Sequence, residues 1–283
     1  MKQKMTVVFM LCVAVLFSAC TNDKTEENDT PDATGQEEVE QRQDQDNDVD
    51  QIADSGAITT ITAYANSWND LYGENEEAVN NYEGMPIIEL VTPALAFITG
   101  VQYDLLNMDN QDGRHEGTLM LAGYAGYVDR DGDKLTFGYE ETLAEDGFDA
   151  TAKIGDRLVE EGSLDFETGY YVSDAYTERG DAIIDRTLSQ FLRLEDGSML
   201  NLTMIGKSMD WQGEADPSNT VIFIHNGEDR YDFVVGTGTI GPDFEAMELQ
   251  DDMTKAEALE LFADAGFTIT SSGGIDGDVM KLD

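Results

Sequence analysis

The chain has 283 residues, 16 basic against 59 acidic, for a formal net charge of −43 at pH 7. Such a surface repels nucleic-acid phosphate and anionic headgroups, which argues against any nucleic-acid partner. Both cysteines, Cys12 and Cys20, fall within the first twenty residues, so the rest of the chain has no thiol for a disulfide, a redox pair or a thiolate metal site.

Lys2 and Lys4 precede fifteen uncharged residues, Met5 to Ala19. That run is shorter than the about 20 apolar residues a spanning helix needs and matches the apolar segment of a signal peptide. Ser18 and Ala19 place narrow side chains before Cys20, where a peptidase needs them. With "FSAC" at its end, the segment resembles a bacterial lipoprotein signal peptide and its lipobox, although Phe17 stands where that family usually has leucine. The resemblance implies that residues 1–19 are removed and that Cys20 becomes a mature N-terminus bearing a thioether-linked diacylglycerol. Two acyl chains hold a protein stably at a bilayer, where one is marginal. The expected location is therefore the cell membrane or envelope, lipid-anchored and facing outside the cytoplasm.

Residues 20–55 read as an acidic linker. From Thr21 to Ser55 there are 13 acids and two bases, no aromatic residue, and only Val39, Val49 and Ile52 as larger aliphatics. That is the composition of disorder. "DQDNDVD" (Asp44, Asp46, Asp48, Asp50) spaces its carboxylates like a calcium loop but lacks the bend glycine and the closing glutamate.

Residues 56–283 carry 46 acids and 12 bases, net −34, and are numerous enough for one sizeable core. A short helix is predicted near Ala63 to Tyr72. A second is predicted in "TPALAFITGVQYDLLNM", with Thr92 as N-cap, Pro93 at the first turn and Leu95, Ile98, Val101, Leu105 and Met108 on one face. From Gly117 to Gly238 the period changes to two. "KLTFGYE" alternates Leu135, Phe137 and Tyr139, and "FDATAKI" alternates Phe148, Ala150, Ala152 and Ile154. Turn signals fall at Asp131–Asp133, Glu145–Gly147, Glu195–Gly197 and Asn226–Gly227. This pattern predicts an antiparallel meander. In "TVIFIHNGEDRYDFVV", an Asn226–Gly227 loop would set His225 opposite Glu228, a carboxylate that would favour the imidazolium. A last helix is marked by Thr254, Glu257 and the stop Gly266, and "FTIT" reads as a final strand.

Few motifs carry chemistry. "GTGTIG" (Gly236, Gly238, Gly241) matches a dinucleotide fingerprint, but Pro242 follows at once where a helix should start, so a glycine-rich bend is expected. "DRDGDKLTFGYE" places Asp129, Asp131, Asp133 and Glu140 at the carboxylate positions of a calcium loop. Lys134 occupies its glycine position and the flanks read as strands, so a hairpin turn is the better account, with calcium as the one weak cofactor candidate. No GxSxG, SxxK or HExxH occurs, and neither His115 nor His225 sits in a metal-ligand spacing. Adjacent carboxylates such as Glu140–Glu141 and Glu160–Glu161 could serve a glycosidase, yet chance supplies such pairs in so acidic a domain. Trp68, Trp211, Tyr170 and Tyr171 could stack on sugars but fit a core equally.

The expected fold is α+β: one domain dominated by a curved antiparallel β meander with a few packed helices. Such an outline is similar to the lipoprotein-carrier (LolA-like) architecture, whose cavity holds acyl chains. The expected role is a non-enzymatic binding module for an apolar small molecule or an envelope protein. An extracellular hydrolase using Asp/Glu carboxylates and a passive envelope component are the alternatives.

Overall fold

The computed structural model describes residues 58–80, 111–119, 124–144, 153–209, 214–228, 230–242, 246–276 and 279–283. All belong to the second of the chain's two units, Ile58–Asp283. Cys12, Cys20, the acidic segment, the helix expected after Thr92, the turn at Glu145–Gly147, Phe148 to Ala152 and Trp211 lie outside the described residues.

Helix α1 spans Ile61–Asn80, twice the length expected. The Thr60 hydroxyl accepts the Ala63 N–H at 3.1 Å, satisfying one of the amides left open in a first turn. Ile61, Tyr64, Ala65 and Trp68 then form one buried stripe at helical spacing.

Eleven strands follow as an antiparallel meander in which sequence neighbours are always sheet neighbours. They are β1 Gly113–Leu119, β2 Tyr124–Asp131, β3 Lys134–Thr142, β4 Arg157–Asp165, β5 Tyr170–Arg179 and β6 Ala182–Arg193. Then come β7 Met199–Met209, β8 Ala215–Gly227, β9 Arg230–Gly238, β10 Thr268–Asp276 and β11 Val279–Leu282. Helix α2, Lys255–Asp264, stands between β9 and β10.

The sheet curls around α1. Arg130 of β2 bonds Thr59 O at the start of the helix, Tyr64 stacks on Tyr171 of β5, and Trp68 meets Phe191 of β6 edge-on at 5.0 Å. Ser67 reaches Met199 of β7, Asn75 reaches Asn226 and Gly227 of β8, and α1 also touches β10 and β11. Flat, β2 to β11 would spread over roughly 43 Å at about 4.8 Å per strand. A helix about 10–12 Å across can touch so many strands only if the sheet bends around it. Irregularities at Thr177/Glu178, Lys207/Met209 and Ile269/Ser271 supply local bends.

Alternation then sorts the residues into an inner and an outer face. The inner face carries Leu135, Phe137, Leu164, Tyr171, Phe191, Ile222, Ile224 and Phe233 around α1. The outer face of β6–β9 carries Leu200, Leu202, Val221, Phe223 and Val234, covered by Ala258 and Phe262 of α2 and by Phe267. The capping box at Thr254 and Glu257 forms as expected, and Gly266 at φ 86° ends that segment.

Several expectations are corrected. The β8–β9 turn lies beyond Asn226–Gly227, because Gly227 still pairs with Arg230. His225 therefore faces Asp232, not Glu228. Ile154 lies in an exposed turn rather than a strand, and β10 is followed by β11. Gly236 and Gly238 of "GTGTIG" belong to β9 and face α2, where a Cβ on Gly236 would stand 3.0 Å from Val221 Cγ2 and 3.2 Å from Phe267 Cβ. They make room for a helix and an aromatic ring on the sheet.

Candidate functional site

The four calcium candidates sit on the β2–β3 hairpin. Gly132, at φ 60°, and Asp133 form its two-residue turn, with Asp131 opposite Lys134 and Asp129 opposite Thr136. Glu140 lies four residues beyond Thr136 along β3, roughly 13 Å away at strand rise. It is held instead by Arg157, at 2.7 and 2.9 Å. The three aspartates cluster near the turn and Glu140 does not join them. Among the described residues, no group of three or more His, Cys, Asp or Glu side chains is placed to hold a metal.

A cleft of about 450 Å³ opens between the β6–β7 and β8–β9 turns, lined by Leu71, Asp196, Ser198, His225, Glu228 and Arg230. It contains the residue types of a catalytic triad in an unproductive order. Ser198 Oγ donates to Asp196 Oδ1 at 2.6 Å, and the same oxygen accepts the Ser198 N–H at 2.9 Å. Because the hydroxyl proton is committed to the carboxylate, His225 Nε2, 3.1 Å from Ser198 Oγ, must donate rather than accept. A triad needs the reverse: the imidazole takes the serine proton while the acid orients the imidazole. Burial, then the nearby Arg230 charge, depress the His225 pKa against the opposing pull of Asp232 and Asp196. The favoured imidazolium expected from the sequence is therefore corrected to a neutral ring, and the trio caps a turn.

The second site is on the inner face. Cross-strand pairing sets Phe137, Gly162, Ser173, Ser189, Thr203 and Ile222 in one row from β3 to β8. The adjacent row runs Tyr139, Glu160, Ala175, Thr187 and Ile205. The Phe137 ring lies across Gly162, where an added Cβ would fall 2.2 Å from Phe137 Cζ. Phe137 and Tyr171 stack at 5.7 Å, and Tyr171 stacks in turn on Tyr64 at 6.1 Å. This aromatic wall divides the face: the α1 side is a mainly apolar core, and beyond it lie Glu160, Ser173, Ser189 and Thr203, all buried.

That polar half is incompletely bonded. Glu160 Oε1, Tyr171 Oη and Ser173 Oγ, neighbours on this face, are among the buried side-chain atoms of the described residues without a well-formed hydrogen bond, as are Trp68 Nε1, Arg193 Nε and His225 Nδ1 elsewhere. Burial raises the Glu160 pKa to about 8, against the smaller opposing effect of a hydrogen bond from Tyr139. The Tyr171 pKa is raised by burial and by proximity to Glu160, against a smaller opposing effect of the Ser173 hydroxyl, which lies near Tyr171 Oη without forming a well-aligned hydrogen bond with it. Most buried polar groups in proteins are bonded to protein or water, so three neighbouring exceptions call for a physical reason.

Sequence reasoning missed this site because it weighed Glu160 with Glu161. On a strand these two point to opposite faces, and only Glu160 is buried. The same-face neighbour is Glu141 on β3, diagonal to Glu160 across the register, with its own buried Oε2 unpartnered. The only available signal was an acid in phase with Leu164 along β4. Compared with protein families, curated proteins and solved structures, the chain finds no match.

Proposed function

We propose that the chain is an exported lipoprotein, anchored through Cys20, whose curled sheet binds a small molecule on its inner face without transforming it. The observation that carries this reading is the contiguous set Glu160, Tyr171 and Ser173, buried in the middle of the sheet with Glu160 Oε1, Tyr171 Oη and Ser173 Oγ lacking well-formed hydrogen bonds. A face serving only as core would keep its buried polar groups bonded there, as Asn75 and Asn226 are beside α1, since an unmet buried polar group costs about 1–3 kcal/mol. The outline, a curved antiparallel sheet with a helix on its inner face, supports the likeness to lipoprotein carriers. The polar half argues for a ligand with a polar head rather than a purely apolar one.

A second reading, a carboxylate hydrolase, draws on Glu141 and Glu160, two acids on one face with the pKa of Glu160 raised to about 8. Raised acids of that kind serve as proton donors in glycosidases. Turnover of a glycan by the purified chain, abolished in Glu160→Gln, would favour it over simple binding.

Mass spectrometry of natively purified protein tests the main reading. The expected result is a diacylglyceride mass on Cys20 together with a small molecule released on denaturation. An intact initiator end, or protein that releases nothing, overturns the anchored or the binding half respectively.

A further inference from the structure

Building on the binding reading above, we propose that the inner-face site takes a primary alkylammonium group, held by Glu160, Ser173 and Tyr171. The match is one of number and kind. A primary ammonium carries three N–H donors, and the site offers three buried oxygens able to accept, Glu160 Oε1 and the neighbouring hydroxyls Ser173 Oγ and Tyr171 Oη, none of them in a well-formed hydrogen bond. Around them stand the rings of Phe137 and Tyr171, stacked at 5.7 Å, and Tyr139, opposite Glu160 in register. Aromatic faces attract cations and cover an alkyl stem equally well.

Charge points the same way. Arg157, three residues along β4, lies on the outer face and is engaged by Glu140 and Glu178. Lys207, on the inner face, is exposed, on the next row and three strands away. The titratable groups facing Glu160 are Tyr139 and Glu141 from β3 and Tyr171 from β5, none of them cationic. For an uncharged ligand, glutamine at position 160 would offer the same hydrogen bonds with no ionisation to suppress. What a carboxyl adds is the capacity to become an anion when a cation arrives. The chain's net charge of −43 raises the local concentration of cations and disfavours anions.

The empty site holds a proton near neutrality, since the Glu160 pKa stands at about 8. An ammonium ligand displaces that proton, so its affinity rises with pH, by about tenfold per unit below the pKa of the free site. An uncharged acceptor would instead need the proton and would weaken as pH rises through that value.

Calorimetry of the full chain with n-butylammonium, n-pentanol and pentanoate decides the matter between pH 6 and 8.5. The expected result is butylammonium binding that strengthens with pH and releases one proton, with pentanol and pentanoate at least tenfold weaker. In Glu160→Gln, butylammonium affinity at pH 8 falls at least tenfold and the pH slope disappears. Tyr171→Phe, which keeps the ring, gives a smaller loss at all pH values. Pentanol or pentanoate binding as tightly as the ammonium, or butylammonium binding unchanged in Glu160→Gln, overturns the proposal. A co-purifying molecule without an amine overturns it too and leaves the binding reading standing. If nothing co-purifies and none of the three probes binds, both fall.

Discussion

Asp156 and Glu160 are four residues apart, and each is only 2% exposed, yet the fold treats them oppositely. Asp156, at the entrance to β4, receives both arms of the Arg179 guanidinium at 2.9 and 2.7 Å and the Lys153 N–H at 2.7 Å. Its pKa is lowered, chiefly by the arginine. Glu160, midway along the strand, has the phenol of Tyr139 and no cation, and its pKa is raised to about 8. The outer face repeats the first pattern with a neutral group. Gln190 accepts from Tyr170 at 2.9 Å and from Leu249 N at 2.8 Å while donating to Met247 O, which pins the segment leading to α2. At these two positions a buried polar group that serves the structure is fully bonded. The unpaired cluster beyond the aromatic wall departs from that habit, and departures of this kind concentrate at functional sites.

Three experiments break or sharpen the contrast. The largest effect is expected at Glu160. Its folded pKa of about 8 lies above the unfolded value of 4.5, so the folded state binds the extra proton between those limits. Its contribution to stability is therefore fully present below about pH 4.5 and declines as pH rises towards 8. Glu160→Gln removes the slope. The variant should match the parent near pH 4 and exceed it near pH 8, by on the order of 4 kcal/mol at about 1.4 kcal/mol per pKa unit. Urea denaturation across that range measures it, and parallel curves for the two proteins would show that position 160 is not a suppressed acid.

Asp156→Asn should act with the opposite sign. The lowered pKa means that the carboxylate supports the fold above its unfolded pKa and loses that role as pH falls through the folded value. Losing a charged partner beneath a bidentate arginine should cost about 2 kcal/mol at neutral pH. The deficit should start to shrink below about pH 4 and close as pH falls through the lowered folded value. A deficit that persists unchanged at pH 3 would mean that the loss is one of shape and not of charge.

Much of the sheet was legible in the sequence, for a physical reason: alternation and turn chemistry are local. Lys134 to Tyr139, the Glu195–Gly197 turn and the Thr254 cap are each decided by residues within a few positions of one another. The β8–β9 register was not legible, because Asn226–Gly227 is a strong hairpin signal overridden by tertiary bonds. Asn226 exchanges side-chain contacts with Asn75 and the carbonyl of Trp68, which hold it in the strand beside α1. The length of α1 was hidden in the same way, since its later turns are fixed by Asn75 reaching β8 rather than by apolar spacing. The inner-face site needed the register of β3, β4 and β5 together. Glu160, Tyr139, Ser173 and Tyr171 become one cluster only after cross-strand pairing is known.

The smallest effect is expected at Arg157, the third way in which this fold meets a carboxylate. Its guanidinium bridges Glu140 and Glu178 on the outer face, with about a third or more of each partner's side chain open to water. Geometrically this is the richest ion pair on the sheet, and its hydrogen bonds push the Arg157 pKa upward and the Glu140 pKa downward. Solvent screening nevertheless makes such pairs worth little, because water serves both ions nearly as well. Arg157→Ala should therefore shift the melting temperature by no more than about 1 °C at physiological salt, and by less in molar salt, where the Debye length shrinks to about 3 Å. A loss comparable to that of Asp156→Asn would mean that position on the sheet, rather than burial, decides what a charge is worth here. It would also remove the ground for treating Glu160, buried without a cation, as exceptional.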